Sequence, residues 1–186
     1  MKKVNPKYLL VSLLIISLFN TRSAISQSER FTNAQERKTV KDYFLNLPAN
    51  YIKITPGGRQ MNRLDRTQLL QRGGTIVDIN NGYLRTTGDT CFHEIVIFKR
   101  SKRSPFIAIN TACTMGDSIA IVDPDRNWKD ITIQVFPMQT LKTNNDMGVT
   151  IKLPRQGKVI TISEGDPTVR WQIEFKNDRF QSTKTF

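Results

Sequence analysis

The placement of two cysteines constrains this chain more than any other feature. Cys91 and Cys113 flank a segment in which Glu94 to Arg100 (EIVIFKR) and Phe106 to Ala112 (FIAINTA) read as strands, with a SKRSP turn between them. If Arg100 faces Ser104 across a three-residue loop, Cys91 falls directly opposite Cys113; a five-residue loop leaves the two sulfurs diagonal on the same face. A bridge there would staple the open end of the hairpin and contribute roughly 3–4 kcal/mol in a chain-entropy account.

A bridge requires an oxidising compartment, and the N-terminus points to one. MKKVNPK is basic, Tyr8 to Phe19 (YLLVSLLIISLF) is apolar but short for a bilayer span, and Ala24-Ile25-Ser26 places small residues where a signal peptidase reads. The expectation is a secretory signal peptide over residues 1–26, cleaved between Ser26 and Gln27, with an uncleaved anchor as the alternative. Residues 27–32 would be a mobile N-terminus, and 33–186 a single β-rich domain in the periplasm or outside the cell. Cleavage removes Lys2, Lys3, Lys7 and Arg22 and no acid, which lowers the +12 formal charge by four. The remaining excess favours anionic partners such as lipid headgroups, acidic polysaccharide or nucleic acid.

The predicted fold is α+β and mainly β: one or two N-terminal helices, then a curled antiparallel meander, as a sandwich or open barrel. Asn33 with Glu36 resembles a capping box, and Val40, Phe44 and Leu47 repeat at helical spacing until Pro48, which predicts a helix over 34–46. A second helix is predicted over 61–72, with Leu64, Leu69 and Leu70 as its apolar side and Gly73 as its stop. From Thr75 the period becomes two. Strands are expected at 76–79 and 83–86 around Asn80-Asn81-Gly82, then in the stapled hairpin, at 118–122 and 128–136, around Val149, Ile151 and Leu153, at 169–175, and near Phe180 after a Lys176-Asn177-Asp178 turn. Ile95 to Phe98 is apolar on both faces, so that hairpin should be central. A break at 139–146 would leave too thin a second domain.

Asp42-Tyr43-Phe44-Leu45-Asn46-Leu47-Pro48, Asp78-Ile79-Asn80-Asn81-Gly82-Tyr83-Leu84, and Ile97-Phe98-Lys99-Arg100 with Ala108-Ile109-Asn110 resemble short motifs of a group of uncharacterised exported bacterial β-rich proteins, over residues 40–136. The resemblance implies a periplasmic or secreted protein without an assigned activity and carries over no functional residue.

Candidate chemistry is sparse. Cys91, His93 and Cys113 could share a strand face as zinc ligands, or Cys91 could be a thiolate beside His93, but a disulfide consumes both sulfurs. Asp123-Pro124-Asp125-Arg126-Asn127 begins like a calcium loop, yet Trp128 stands where glycine is needed and Gln134 where a bidentate glutamate is needed. No nucleophile elbow, zinc-binding helix or phosphate loop occurs, so no catalytic residue, cofactor or metal ligand is assigned. Asp117, Asp130 and Glu164 could contribute to a carboxylate site only through the fold.

The anion-binding candidates are Lys99, Arg100, Lys102 and Arg103, four cations within five residues at a hairpin tip; the alternative is a solvated turn. No aromatic is interleaved there, so no specific nucleic-acid signature is present. Trp171, Ile173 and Phe175 alternate as a core face would. Trp128 is in phase with Asp130 and Thr132 and is the exposed aromatic candidate. The expected function is that of an exported, non-catalytic binding protein whose partner is an unidentified macromolecule or anionic surface, meeting a membrane only through the transient signal peptide. The alternatives are a small secreted hydrolase with a carboxylate site and an inhibitor of an extracellular enzyme.

Overall fold

Two capping boxes open the first two helices among the described residues. In the computed structural model, which describes residues 38–52, 59–88, 91–114, 116–135, 149–163 and 170–185, Thr39 caps α1 (Val40–Asn46). The Thr39 hydroxyl accepts from Asp42 N at 3.3 Å, and the Asp42 carboxylate accepts from Thr39 N at 2.7 Å. These bonds satisfy donors that the first helical turn leaves unpaired, so the helix starts at Val40 and the predicted start at 34 is corrected. Pro48 ends it, and a single 3-10 turn (Ala49–Tyr51) follows.

Asn62 and Asp65 form the second box, opening α2 (Arg63–Gln71). This helix buries Leu69 and packs Leu70 against the core as predicted, but not Leu64. Leu64 is 66% exposed, while Arg66 and Leu69 are buried. The Arg66 guanidinium donates to the Leu47 carbonyl, tying α2 to the end of α1.

The rest is two antiparallel meanders. One sheet runs in chain order through β1 (Ile76–Asp78), β2 (Tyr83–Arg85), β3 (Cys91–Phe98), β4 (Phe106–Cys113), β5 (Gly116–Asp123) and β6 (Lys129–Asp130). The other runs through β7 (Thr150–Lys152), β8 (Val159–Ser163), β9 (Arg170–Lys176) and β10 (Arg179–Thr185). Neither closes into a barrel. The central hairpin has the first of the two expected registers, with Phe98 opposite Phe106 and Cys91 opposite Cys113, and the two cysteines form a disulfide with Cα atoms 4.3 Å apart.

Both faces of β3 and β4 are buried, as their unbroken apolar runs predict. Ile95, Ile107 and Ile109 pack with Leu84 and Val122 against Val40, Phe44, Leu47 and Leu69 of the helices. Val96, Phe98, Phe106 and Ala108 meet Ile160, Ile162, Ile173 and Phe175 of the second sheet. Residues 38–186 thus form one unit with helices, sheet and sheet in layers. The expected signal peptide over 1–26, the N-terminal segment expected over 27–32, the Asn33–Glu36 pair, the considered break at 139–146 and Glu164 lie outside the described residues.

The predicted strand at 128–136 needs correction. Only Lys129–Asp130 pairs with β5, after which Thr132–Val135 forms a helical turn, α3. An Asp130 carboxylate oxygen accepts from both Thr132 N and Thr132 Oγ1, which starts the turn. Ile131 is buried while Ile133 is 89% exposed, although the two were expected to share a core face.

Turn residues occur where backbone geometry requires them. Asn177 and Asp178 both have positive φ, forming the two-residue turn between β9 and β10 that follows strand twist. In the loop joining β1 to β2, Gly82 has φ +64°, and a Cβ there would sit 3.2 Å from Ile97 Cβ. Gly82→Ala is therefore expected to lower stability by about 1–2 kcal/mol through left-handed strain alone. A urea midpoint equal to that of the parent would contradict this.

Candidate functional site

The predicted basic tip is divided in the structure. Arg100, counted among the outward cations, turns inward: Nη2 lies 2.8 Å from Asp123 Oδ1 and 3.3 Å from Asp125 Oδ2, and Cζ lies 4.0 Å over the Phe106 ring. Its side chain is 4% exposed and that of Asp123 3%, so Arg100 is a structural cation and is not offered to a ligand. Asp123 draws it in because a buried carboxylate needs a partner. The calcium-loop residues have the same explanation, since Asp123 and Asp125 converge on this guanidinium. Hydrogen bonds from Ser104, assisted by the charges of Arg100 and Arg103, hold the Asp125 carboxyl below the usual carboxylate range.

Lys99, Lys102 and Arg103 remain exposed. Ser101 Oγ donates to Asp178 at 3.1 Å, which brings the β9–β10 turn against the tip. Lys176 and Arg179 flank that turn and are exposed. Exposed Lys158 joins them, with its carbonyl accepting from Phe175 N and its Nζ 5.9 Å from the Phe175 ring. Beneath these cations, Phe175 and Phe180 contact each other and both Phe98 and Phe106, at centroid distances of 5.0–6.5 Å. The end of the sandwich is thereby fixed, and six exposed cations from three separate segments stand over it.

Trp128, the exposed aromatic candidate, is half-buried and is corrected to an anchor. Its ring meets Tyr43 of α1 edge-on at 6.2 Å, and its carbonyl accepts from the Tyr51 hydroxyl at 2.7 Å. These contacts hold a bulky residue at φ 60°, a conformation it would not adopt alone. His93 is buried with Nδ1 3.1 Å from Thr111 Oγ1, and the disulfide removes the two cysteine ligands of the zinc alternative.

A cleft of about 490 Å³ opens at the disulfide end of the sandwich, lined among others by Arg85, Phe92, Glu94, Asp117, Ile151 and Lys152. Period-two alternation places Arg85, Phe92, Glu94, Asn110, Ala112 and Asp117 on the face of the first sheet that meets the second. There the polar groups complete the free edge of β7. Asp117 Oδ2 accepts from Ile151 N at 2.6 Å, Asn110 Nδ2 donates to Ile151 O at 2.7 Å, and Glu94 Oε2 accepts from Leu153 N at 3.2 Å. Asp117 N also donates to Val149 O. Side chains of one sheet thus stand in for the strand that would otherwise pair with the other.

Buried Glu94 is further satisfied by the Tyr83 hydroxyl at 2.8 Å and by Asn110 Nδ2 at 3.3 Å. Burial, together with Glu94, pushes the Tyr83 hydroxyl well up. Burial also raises the Asp117 carboxyl, aided by the Glu94 charge and opposed by hydrogen bonds from Ile151 N and Asn110. The sequence alone did not mark this arrangement, because Glu94 sits in a central strand and its partners lie as far along the chain as Leu153.

No protein-family model and no curated protein sequence matches the chain. A solved structure, that of a domain of an uncharacterized protein from Porphyromonas gingivalis W83, is similar in fold with a TM-score of 0.53 and 13% identity, covering 77% of this chain and 97% of that one.

Proposed function

We propose that this chain is an exported, non-catalytic binding protein that contacts an anionic partner through the basic end of its sandwich. The observation that carries this reading is the Ser101–Asp178 contact, which brings the segment bearing exposed Lys99, Lys102 and Arg103 against the turn flanked by exposed Lys176 and Arg179. Cations fixed on a rigid base lose less freedom on binding than the same cations on a free loop. Export is supported by the basic, apolar and small-residue succession of the first 26 residues and by a disulfide suited to an oxidising compartment. The motif resemblance to exported bacterial β-rich proteins is in keeping with it. Among the described residues no exposed aromatic is adjacent to these cations in the sequence, and Phe98, Phe106, Phe175 and Phe180 are buried, which favours charge contact over base stacking.

The hydrolase reading draws on the meeting of Glu94 and Asp117 in the cleft. Their oxygens, however, are engaged by the backbone of β7 and by neutral side-chain donors, which suits an edge cap better than an acid–base pair.

The test is retention on a sulfated polysaccharide matrix. Lys99→Ser, Lys102→Ser and Arg103→Ser together should elute at lower salt, with a shallower dependence of log retention on log salt. Adding Lys176→Ser and Arg179→Ser should deepen the effect. Arg100 is left in place because its replacement would disturb the core. Retention unchanged in the five-residue variant would eliminate this end as the contact.

A further inference from the structure

The cleft beside β7 is lined by two cations that form no ion pair among the described residues. Arg85 lies directly across from Glu94 in the register, yet the carboxylate oxygens of Glu94 are taken up by Tyr83, Asn110 and Leu153 N. The Arg85 guanidinium instead sits 4.3 Å over the Phe92 ring, and no ion pair or side-chain hydrogen bond joins it to a described residue. Lys152 projects from the strand that forms the wall of the cleft, is exposed, and has no such partner either. The same lining includes half-buried Phe92 and the largely buried Ala112 and Ile151 as its apolar part, beside polar Thr114, Asp117 and Thr150.

We infer that this cleft binds a small organic carboxylate with an apolar body, its head held by Arg85 and Lys152 and its body lying on Phe92, Ala112 and Ile151. A planar guanidinium matches a carboxylate with two parallel donors, and stacking on Phe92 restricts its orientation. The charge balance selects the class. Arg85 and Lys152 supply the attraction, while Glu94 and Asp117 in the same lining add a repulsion that grows with the ligand's negative charge, so a monoanion is opposed less than a doubly charged phosphate. A volume of about 490 Å³ is within the range of small-molecule sites. This site is separate from the basic end and does not depend on the reading given for it.

The experiment is calorimetric titration of the full chain with decanoate, decanol and decyl phosphate as probes. Decanoate should saturate, with decanol and dianionic decyl phosphate each at least about tenfold weaker. Arg85→Gln with Lys152→Gln should weaken decanoate by about tenfold or more while leaving decanol unchanged. Both side chains are exposed and form no ion pair or side-chain hydrogen bond with a described residue, so the thermal midpoint of this variant should fall only by the small amount that losing the Arg85 stacking on Phe92 costs. The triple serine variant of Lys99, Lys102 and Arg103 should bind decanoate as the parent does, which separates this site from the basic end. The inference is overturned if decanoate gives no saturable heat, if decanol or decyl phosphate binds as tightly, or if the double variant retains full affinity.

Discussion

Asp123→Ala is expected to cost about 3 kcal/mol, because it removes the buried carboxylate and leaves the Arg100 guanidinium with only the longer contact to the partly exposed Asp125. The two side chains are 4% and 3% exposed, so water cannot take the carboxylate's place without opening the hairpin tip. Asp125, the second carboxylate on Arg100, is 42% exposed, and Asp125→Ala should cost about 1 kcal/mol or less. Urea denaturation of both variants gives the comparison. Replacing the pair together, Arg100→Met with Asp123→Leu, should recover part of the loss, since it removes the poorly compensated buried charge while Ser104 O and Asp125 N lose the partners that Arg100 and Asp123 gave them. Equal midpoints for Asp123→Ala and Asp125→Ala would show that Arg100 is not held as its geometry requires.

The second large effect concerns the disulfide. Cys91→Ala with Cys113→Ala should lower stability by roughly 3–4 kcal/mol, because the bridge removes loop-closure freedom from the unfolded chain. The effect should appear as a lower denaturation midpoint with the native circular-dichroism spectrum retained. The bridge joins cross-strand neighbours that β3 and β4 already pair, so the folded hairpin does not need it for register. A parent protein whose midpoint is the same with and without reductant, or one with two titratable thiols in the native state, would contradict this account.

Much of the fold was legible because its causes are local. Alternation and turn residues marked the meander, and the doubly apolar run Ile95 to Phe98 marked the central strand. Errors arose where a neighbouring polar group overrode the pattern. Ile131, Ile133 and Val135 alternate as a strand would, but the Asp130 carboxylate captures Thr132 N and turns the chain into a helix. Leu64 fits a helical stripe, yet Arg66 reaches the Leu47 carbonyl and takes the buried side instead. The basic tip was visible as a charge run, while the inward turn of Arg100 depended on Asp123 across the sheet.

By itself, the sequence determined the mainly-β class, the hairpin face that both cysteines share and the presence of two helices before the sheet, since each follows from periodicity within a few residues, while the choice between the two hairpin registers came from the structure. The tertiary structure alone decided which charges face outward and which polar groups meet. Ser101 and Asp178 touch across 77 residues, and Glu94 reaches Leu153 across 59. Contacts of that span leave no trace in local composition, because they follow from how two independently patterned sheets come to lie against each other.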